Sequence, residues 1–393
     1  MRIFPKPQKV DELIAVFNIG SSSVGGALFL AQNSGVPKII FSTTQPLLVE
    51  EKLNADKFLA FTISTLDSVA KEVFASGLGA PKRIFCVLSS PWYVSQTRTI
   101  IFKQNTSFLF TEKLADELIQ KEIKIFEEEN AVKYPGGSKD VRPIELKNVK
   151  TILNGYEASS PLGQKAQELE MVMFVSIGGE QMLSRVEETI RKYFHFEAIK
   201  FSSFAMASFT VLRDKYVNQS NFLLVDIGGE MTDIFLAKKN VLQESVSYPL
   251  GVNFLTRKIA TELGCTLGEA ISLISLFKDG HAEKSVAEKL GLVLSTIKKE
   301  WLKNFQESLA NLSKDISIPA SIFIIVDKDM VDFFSEIIKS EQFSQYTLTE
   351  SKFEVTFLGL PALHDTATFE ENVIREPFLI VDAVYINRFL TKI

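Results

Sequence analysis

The fold is decided by a short stretch near the middle of the chain, Phe222–Ile234, which reads FLLVDIGGEMTDI. Its first part is an apolar run that is typical of a buried strand. The run delivers a carboxylate, Asp226, and two adjacent glycines into a tight turn, and a second apolar run leaves the turn at Ile234. This pattern predicts a β-hairpin whose tip can bring backbone N–H groups to an anionic ligand, with Asp226 beside a metal-bound water. An ordinary hairpin with an Asp–Gly turn fits the same residues.

A second segment near the N-terminus, Ala15–Phe29, repeats this pattern with the sequence AVFNIGSSSVGGALF. An apolar strand enters a Gly/Ser turn, and an apolar strand returns from it. Two similar hairpins predict two similar halves that face one cleft. Backbone amides and small hydroxyl side chains would line the floor of that cleft.

The two hairpins resemble the phosphate-1 and phosphate-2 loops of the actin/Hsp70/sugar-kinase superfamily. The segment Tyr248–Ala260, YPLGVNFLTRKIA, is similar to the P-x-G-G-N-x-x-T-x-x-I-A pattern of the FtsA/PilM family of bacterial actin-like proteins. Leu153–Gly163 and Phe204–Ser208 resemble two further segments of that family, in the same order along the chain. The resemblance implies an α/β, actin-like two-domain fold, with an inserted subdomain 1C in place of subdomain IB.

The resemblance and the helix and strand patterns together predict the domain boundaries. Residues 1–12 are expected to form a flexible leader, and subdomain IA to comprise residues 13–84 and 168–218. Subdomain 1C is expected at 85–167, subdomain IIA at 219–255 and 319–393, and subdomain IIB at 256–318. Within 1C, Thr111 is predicted to cap a helix that follows two strands.

The resemblance also implies a site for ATP with Mg between the two hairpins. The candidate nucleotide-binding residues are Asn18, Gly20, Ser21, Ser22, Ser23, Asp226, Gly228, Gly229, Thr232, Asp233 and Gly251. Asp226 is the candidate metal ligand. We identify no catalytic residue, because no general base can be named from the sequence. Nucleotide binding is therefore expected rather than hydrolysis.

Four positions depart from the family pattern at this site. Asn18 replaces the aspartate that begins the phosphate-1 loop, and Gly25 stands where relatives often have a lysine. Glu230 replaces a third glycine, and its charge would repel phosphates by about 1–4 kcal/mol at an intermediate dielectric constant. The segment Asp327–Met330 replaces the glycines on which adenosine lies. Two hypotheses remain open: the site retains weak binding of Mg-ATP, or the remaining residues only shape the hairpins.

The composition excludes several classes of function. An apolar content of 46% and a charged content of 23% are those of a folded globular protein. The net charge of −5, with no dense basic block, argues against nucleic acid as a partner. The two cysteines and three histidines have no metal-ligand spacing. We find neither a signal peptide nor an apolar run of about 18 residues, so we expect a cytoplasmic protein, or one peripheral to the inner face of the cell membrane.

By resemblance, the first expectation is an FtsA-like cell-division scaffold. Its partner would be the C-terminal peptide of an FtsZ-type protein, bound to subdomain IIB, and the scaffold would self-associate into filaments. The tail Ile386–Ile393 follows the last predicted helix without a linker, so contact with the membrane is expected to be indirect. The alternative is a PilM-like component of a type IV pilus or secretion platform, which binds the tail of an inner-membrane protein near the 1A/1C cleft. An ATPase or sugar kinase is the third hypothesis.

Overall fold

Three β-sheets, with helices packed against them, organise the chain. The computed structural model describes residues 12–32, 35–131, 141–312, 318–340 and 352–391. The buried apolar side chains form three clusters: one joins the first sheet to one face of the second, one covers the other face of the second sheet, and one lies on the third sheet. The two predicted hairpins form the centres of the first two sheets.

The first sheet contains strands from both ends of the chain. They are β1 (Glu12–Ile19), β2 (Ser23–Ala31), β3 (Lys38–Pro46), β4 (Arg83–Leu88), β9 (Ile199–Ser203) and β15 (Thr368–Phe369). Their order is β15-β3-β2-β1-β4-β9, with β1 antiparallel to β2 and parallel to β4. The turn of the first hairpin therefore lies at the same end of the sheet as the C-terminal end of β4.

Helices cover both faces of this sheet. One face packs against α1 (Ala55–Ala75) and α3 (Glu180–Arg191), and the other against α4 (Phe204–Lys215) and α10 (Pro377–Thr391). The short helix α9 (Leu360–Leu363) contacts α10. Adjacent glycines of β2 permit this close packing: a Cβ at Gly26 would lie 2.7 Å from Val69 of α1, and one at Gly25 would lie 3.2 Å from Leu379 of α10. Gly25, where relatives often have a lysine, thus faces a helix.

The second sheet is built around the second hairpin. Its strands are β10 (Phe222–Ile227), β11 (Thr232–Lys238), β12 (Val241–Tyr248), β13 (Ser321–Val326) and β14 (Glu354–Phe357), in the order β12-β11-β10-β13-β14. The associated helices are α5 (Val252–Leu263), α6 (Leu267–Lys278), α7 (Lys284–Leu312) and α8 (Val331–Ser340). Trp301 of α7 is fully buried between Phe305 of the same helix and Phe334 of α8, and it joins these two helices.

The third sheet is inserted between strands of the first and is antiparallel throughout. It consists of β5 (Tyr93–Leu109), β6 (Val141–Leu153), β7 (Tyr156–Glu157) and β8 (Lys165–Gly179), in the order β5-β8-β6-β7. The helix α2 (Glu112–Ala131) packs against it, and the Thr111 hydroxyl accepts a hydrogen bond from Leu114 N at 3.2 Å, as the predicted cap requires. The sheet also touches the second sheet, where Thr97 Oγ1 donates to the Leu242 carbonyl at 2.6 Å.

The structure differs from the predicted boundaries in four places. Residues 1–11 lie outside the described residues, and Glu12, predicted in the leader, begins β1. The strand β4 belongs to the first sheet rather than to the inserted one, because it pairs with β1 and β9. The strand β8, predicted to return to IA at residue 168, stays in the inserted sheet until Gly179.

The C-terminal region is the fourth difference. It was predicted in IIA, but β15 pairs with β3 and α10 packs on β1 and β2. An apolar strand or helix pattern shows that an element is buried without showing which sheet buries it, so these assignments could not be made from the sequence. Residues 392–393 of the predicted tail lie outside the described residues.

No single described helix is long and apolar enough to cross a membrane. The pair formed by α5 and α6 meets the criteria of length and composition jointly, with a bend of 101° between the two helices.

Candidate functional site

The tips of the two hairpins meet, as predicted, but they do so in direct contact. Glu230 N donates a hydrogen bond to Ser21 Oγ at 3.1 Å. A Cβ added at Gly229 would lie 2.3 Å from the carbonyl oxygen of Ser21. The glycine thus allows close approach of the other hairpin's backbone, in the position where a phosphate was expected.

The N-terminus of α5 closes the same turn from the other side. Val252 N donates to the Gly228 carbonyl at 2.9 Å, and Asn253 N donates to the Gly229 carbonyl at 2.8 Å. A Cβ at Gly251 would lie 2.4 Å from both of these carbonyl oxygens. Free N–H groups at a helix N-terminus attract anions, but these two are already bonded within the chain.

Glu230 forms a buried ion pair instead of facing a phosphate. Its carboxylate accepts two hydrogen bonds from the Arg257 guanidinium, each of 2.7 Å, and one of 2.8 Å from Asn253 Nδ2. Arg257 Nε donates to the carbonyl of Glu50 at 2.7 Å. Because Glu50 follows β3 and Arg257 lies on α5, this cluster joins the two halves of the molecule. We call Glu230, Arg257, Asn253 and the Glu50 carbonyl the interdomain latch.

Asp226 and Asp233 are directly opposite each other in the second hairpin. Both are buried. Burial, with the charge of Asp233 as a further cause, raises the pKa of Asp226 well above its usual range. Burial also raises the pKa of Asp233 to about 6, against the opposing effect of hydrogen bonds from Ser247 and Ser90.

Burial disfavours the ionised form of Asp226, which is the form that would bind a hard cation such as Mg²⁺. Among the described residues, no group of three or more His, Cys, Asp and Glu side chains is arranged to hold a metal ion. The assignment of Asp226 as the metal ligand stays a prediction.

The remaining predicted residues make bonds within the fold. Asn18 Nδ2 donates to Asp382 Oδ2 of α10 at 2.8 Å, a contact between two buried side chains. Thr232 Oγ1 donates to the Leu250 carbonyl at 2.8 Å. In the first turn, Gly20 N donates to the Ser23 carbonyl at 3.0 Å, and Leu47 N donates to the Ser22 carbonyl at 2.8 Å.

The predicted adenosine loop is a short 3₁₀ helix, Lys328–Met330, in which the Asp327 carboxylate accepts from Asp329 N at 3.0 Å. Lys278 of α6 forms an ion pair with Asp329 at 3.1 Å. Charged side chains thus occupy the turn where a nucleoside would lie against backbone. Together with the joined hairpin tips, this arrangement does not fit Mg-ATP.

A second site, which the sequence analysis missed, is a groove between β6 of the inserted sheet and β9 of the first sheet. Two adjoining cavities of about 370 and 400 Å³ share the side chains of Lys147, Tyr385 and Phe389. We call this feature the β6–β9 groove. Its walls come from three separate parts of the chain, namely β6, the consecutive elements β9 and α4, and α10, so no local pattern could reveal it.

Each strand has an edge along the groove that is not fully paired with another described strand, although the Ser203 N–H at the end of β9 donates to the Glu145 side chain. Among the described strands, β9 pairs only with β4, and the outer edge of β6 pairs only with β7, at Ile152 and Leu153. Exposed strand edges present unpaired N–H and C=O groups that can bind an extended chain.

Glu145 holds the two walls of the groove together. Its buried carboxylate accepts hydrogen bonds from Ser203 N at 3.1 Å and Ser203 Oγ at 2.8 Å, and also from the Tyr385 hydroxyl. Burial raises the pKa of Glu145, while these hydrogen bonds act in the opposite direction. The carboxylate connects β6 to the start of α4 and to α10, and so sets the spacing of the groove.

Comparison with solved structures identifies the fold. No family model matches the chain, and no curated protein matches it. The chain has an actin-like, two-domain α/β fold, as predicted. It is similar to PilM in a PilM-PilN type IV pilus biogenesis complex, with a TM-score of 0.60 and 14% identity over 98% of this chain and 98% of that chain.

Weaker similarities extend to two other solved structures. Ethanolamine utilization protein EutJ from Carboxydothermus hydrogenoformans has a TM-score of 0.44 and 11% identity, over 99% of this chain and 92% of that one. A Bacteroides thetaiotaomicron protein with an actin-like ATPase fold has a TM-score of 0.43 and 9% identity, over 96% and 97%. At such identities the likeness concerns the fold alone.

Proposed function

We propose that this protein is a PilM-like scaffold that holds an extended segment of an assembly partner in the β6–β9 groove, and that it does so without a nucleotide. The observation that carries the proposal is the pair of unpaired strand edges on the two sides of one groove. An extended peptide placed there can pair with backbone on either side while its side chains enter the two cavities. The solved relative, PilM, is itself in a complex with a partner, PilN.

The kind of partner follows from this role. In our proposal the bound segment is the tail of an inner-membrane protein of a pilus or secretion platform. The scaffold would then lie in the cytoplasm, at the inner face of the membrane, and would contact the membrane only through its partner. No catalytic step is part of this function.

Site-specific photo-crosslinking in cells tests the proposal. Leu146 lies on the groove and is 38% exposed, and it is replaced by a photoreactive amino acid. Leu276 of α6, which is 44% exposed, and Leu78, which follows α1, serve as matched exposed leucines outside the groove. We expect position 146 alone to crosslink to a terminal segment of a membrane-anchored protein, identified by mass spectrometry. Equal crosslinking of that segment at all three positions would contradict the proposal.

The FtsA-like role is the second candidate, and an apolar surface on the other half of the molecule favours it. A cavity of about 550 Å³ lies among α6, α7 and α8, with Ile274, Phe277 and Phe333 in its lining. Leu292 and Ile271 are exposed nearby on the same helices. Crosslinking of an FtsZ-type C-terminal peptide at Leu276, and not at Leu146, would select this role. Self-association into filaments belongs to the same candidate function.

A further inference from the structure

Two lysines stand over one aromatic ring inside the β6–β9 groove. Lys147 Nζ of β6 lies 4.2 Å from the centre of the Phe389 ring, and Lys200 Nζ of β9 lies 5.3 Å from it. Lys147 Nζ is also 5.9 Å from the centre of the Tyr385 ring. One lysine thus comes from each wall, and both ammonium groups converge on a ring that belongs to α10.

These lysines differ from the other cations of the groove in their pairing. Arg142 pairs with Glu180 and Glu187, and both Arg213 and Arg388 pair with Asp214. Within the described part of the chain, no carboxylate lies within 4.0 Å of Lys147 or Lys200. The buried Glu145 is the only carboxylate among the residues that line the two cavities, and its hydrogen bonds go to Ser203 and Tyr385.

The electrostatics of the pair favour an anion. Burial lowers the pKa of Lys147, and the nearby charge of Lys200 lowers it further, while Glu145 acts in the opposite direction. Lys147 is partly buried and Lys200 is exposed, and their like charges repel each other. A carboxylate placed between them would relieve that repulsion and would form charge-assisted hydrogen bonds.

We infer that Lys147 and Lys200 bind a carboxylate of the partner segment, and that an apolar side chain next to it packs against Phe389. The inference rests on the proposed function, because it specifies which partner the groove accepts. The segment is therefore an extended peptide with an Asp or Glu beside an apolar residue. The chain's own first eleven residues carry Arg2, Lys6 and Lys9 against a single Asp11, so they lack the charge that this site selects.

Selection from a phage-displayed library of random peptides tests the inference. The full chain is used as bait in four forms: wild type, Lys147→Ala/Lys200→Ala, Leu146→Trp to obstruct the groove, and Lys103→Ala/Lys113→Ala as a matched control outside the groove. Thermal unfolding of each variant verifies that it is folded. An enriched peptide is then synthesised together with a version in which its acidic residue is replaced by the amide, and both are titrated by fluorescence polarisation.

We expect wild type to enrich peptides with Asp or Glu beside an apolar residue, and Leu146→Trp to abolish their binding. The double alanine variant and the amide peptide should each weaken binding by at least about tenfold, and Lys103→Ala/Lys113→Ala should leave it unchanged. Peptides that depend on Leu146 but not on an acidic residue would overturn the inference while leaving the proposed function intact. No enrichment, or enrichment that Leu146→Trp does not affect, would overturn both.

Discussion

Two opposed carboxyl groups, Asp226 and Asp233, determine the chemistry of the second hairpin. They lie opposite each other on β10 and β11, both buried. Two adjacent charges in such a place are costly, so protonated forms are favoured. With such a pair, the free energy of unfolding is higher at low pH and decreases as the pH rises.

The first prediction concerns Asp233→Asn. The folded-state pKa of Asp233 is raised from 3.8 to about 6, so the folded state holds a proton that the unfolded state has released between those values. The contribution of Asp233 to the free energy of unfolding is therefore fully present below its pKa in the unfolded state. This contribution is lost as the pH rises through its pKa in the folded state. The difference amounts to at most about 3 kcal/mol.

Asn cannot ionise and can still accept the hydrogen bond from Ser247. We therefore expect Asp233→Asn to raise the free energy of unfolding at pH 7.5 and to have little effect near pH 3.5. Urea denaturation at both pH values measures this. A change of equal size at both would mean that ionisation of Asp233 does not control stability.

The second prediction concerns Gly251, where a Cβ would lie 2.4 Å from two backbone carbonyl oxygens. Backbone cannot move aside as a flexible side chain can, so Gly251→Ala should separate α5 from the turn and cost about 2–4 kcal/mol. Gly291→Ala is the matched control, because an added Cβ at that helical glycine would have no atom within 4 Å apart from its own helical turn, among the described residues. The control should stabilise the protein by up to about 1 kcal/mol. Equal effects of the two substitutions in thermal unfolding would refute this packing.

At the scale of secondary-structure elements, the interdomain latch connects α5 to the loop after β3. Arg257 provides both contacts, because its guanidinium binds the Glu230 carboxylate and the Glu50 carbonyl. The bidentate geometry is one that lysine cannot reproduce. The helix position is set by hydrogen bonds from Val252 N and Asn253 N to the second hairpin.

The third prediction follows from this arrangement. Arg257→Ala leaves the buried Glu230 carboxylate without its cation and should lower the free energy of unfolding by about 3–5 kcal/mol. Glu230→Gln combined with Arg257→Met should restore more than half of that loss, because no unpaired charge remains. Arg83→Ala, which removes a surface pair with Glu12 at 2.9 Å, should cost less than about 1 kcal/mol. Comparable losses for Arg257→Ala and Arg83→Ala would contradict the latch.

The sequence predicts individual elements better than their partners. Both hairpins were predicted because apolar runs on either side of a Gly turn have a local signature. We expected Glu230 to repel phosphates, but its carboxylate is paired with Arg257. This pairing could not be predicted, because Arg257 lies on a helix 27 residues away. The position of β4 and the packing of α10 likewise depend on contacts that no local pattern records.

At the scale of the whole molecule, the predicted actin-like fold was correct, whereas the expected ligand site was closed by the chain's own contacts. The sequence analysis correctly predicted that the two hairpin tips lie together. The residues that meet at the tips are Ser21, Gly228, Gly229 and Gly251. The sequence could not show the distance between the two hairpins. That distance decides whether they enclose an open cleft or contact each other directly. The β6–β9 groove was invisible for the same reason, because its walls meet only in the folded chain.

The central claim of this account is that the cleft between the hairpins is a structural joint rather than a nucleotide site. Calorimetric titration of the purified protein with Mg-ATP tests it most directly, with Asp226→Ala as the control variant. We predict no saturable heat of binding up to about 1 mM Mg-ATP for either protein. Binding in the micromolar range by the wild type, abolished in Asp226→Ala, would contradict the claim.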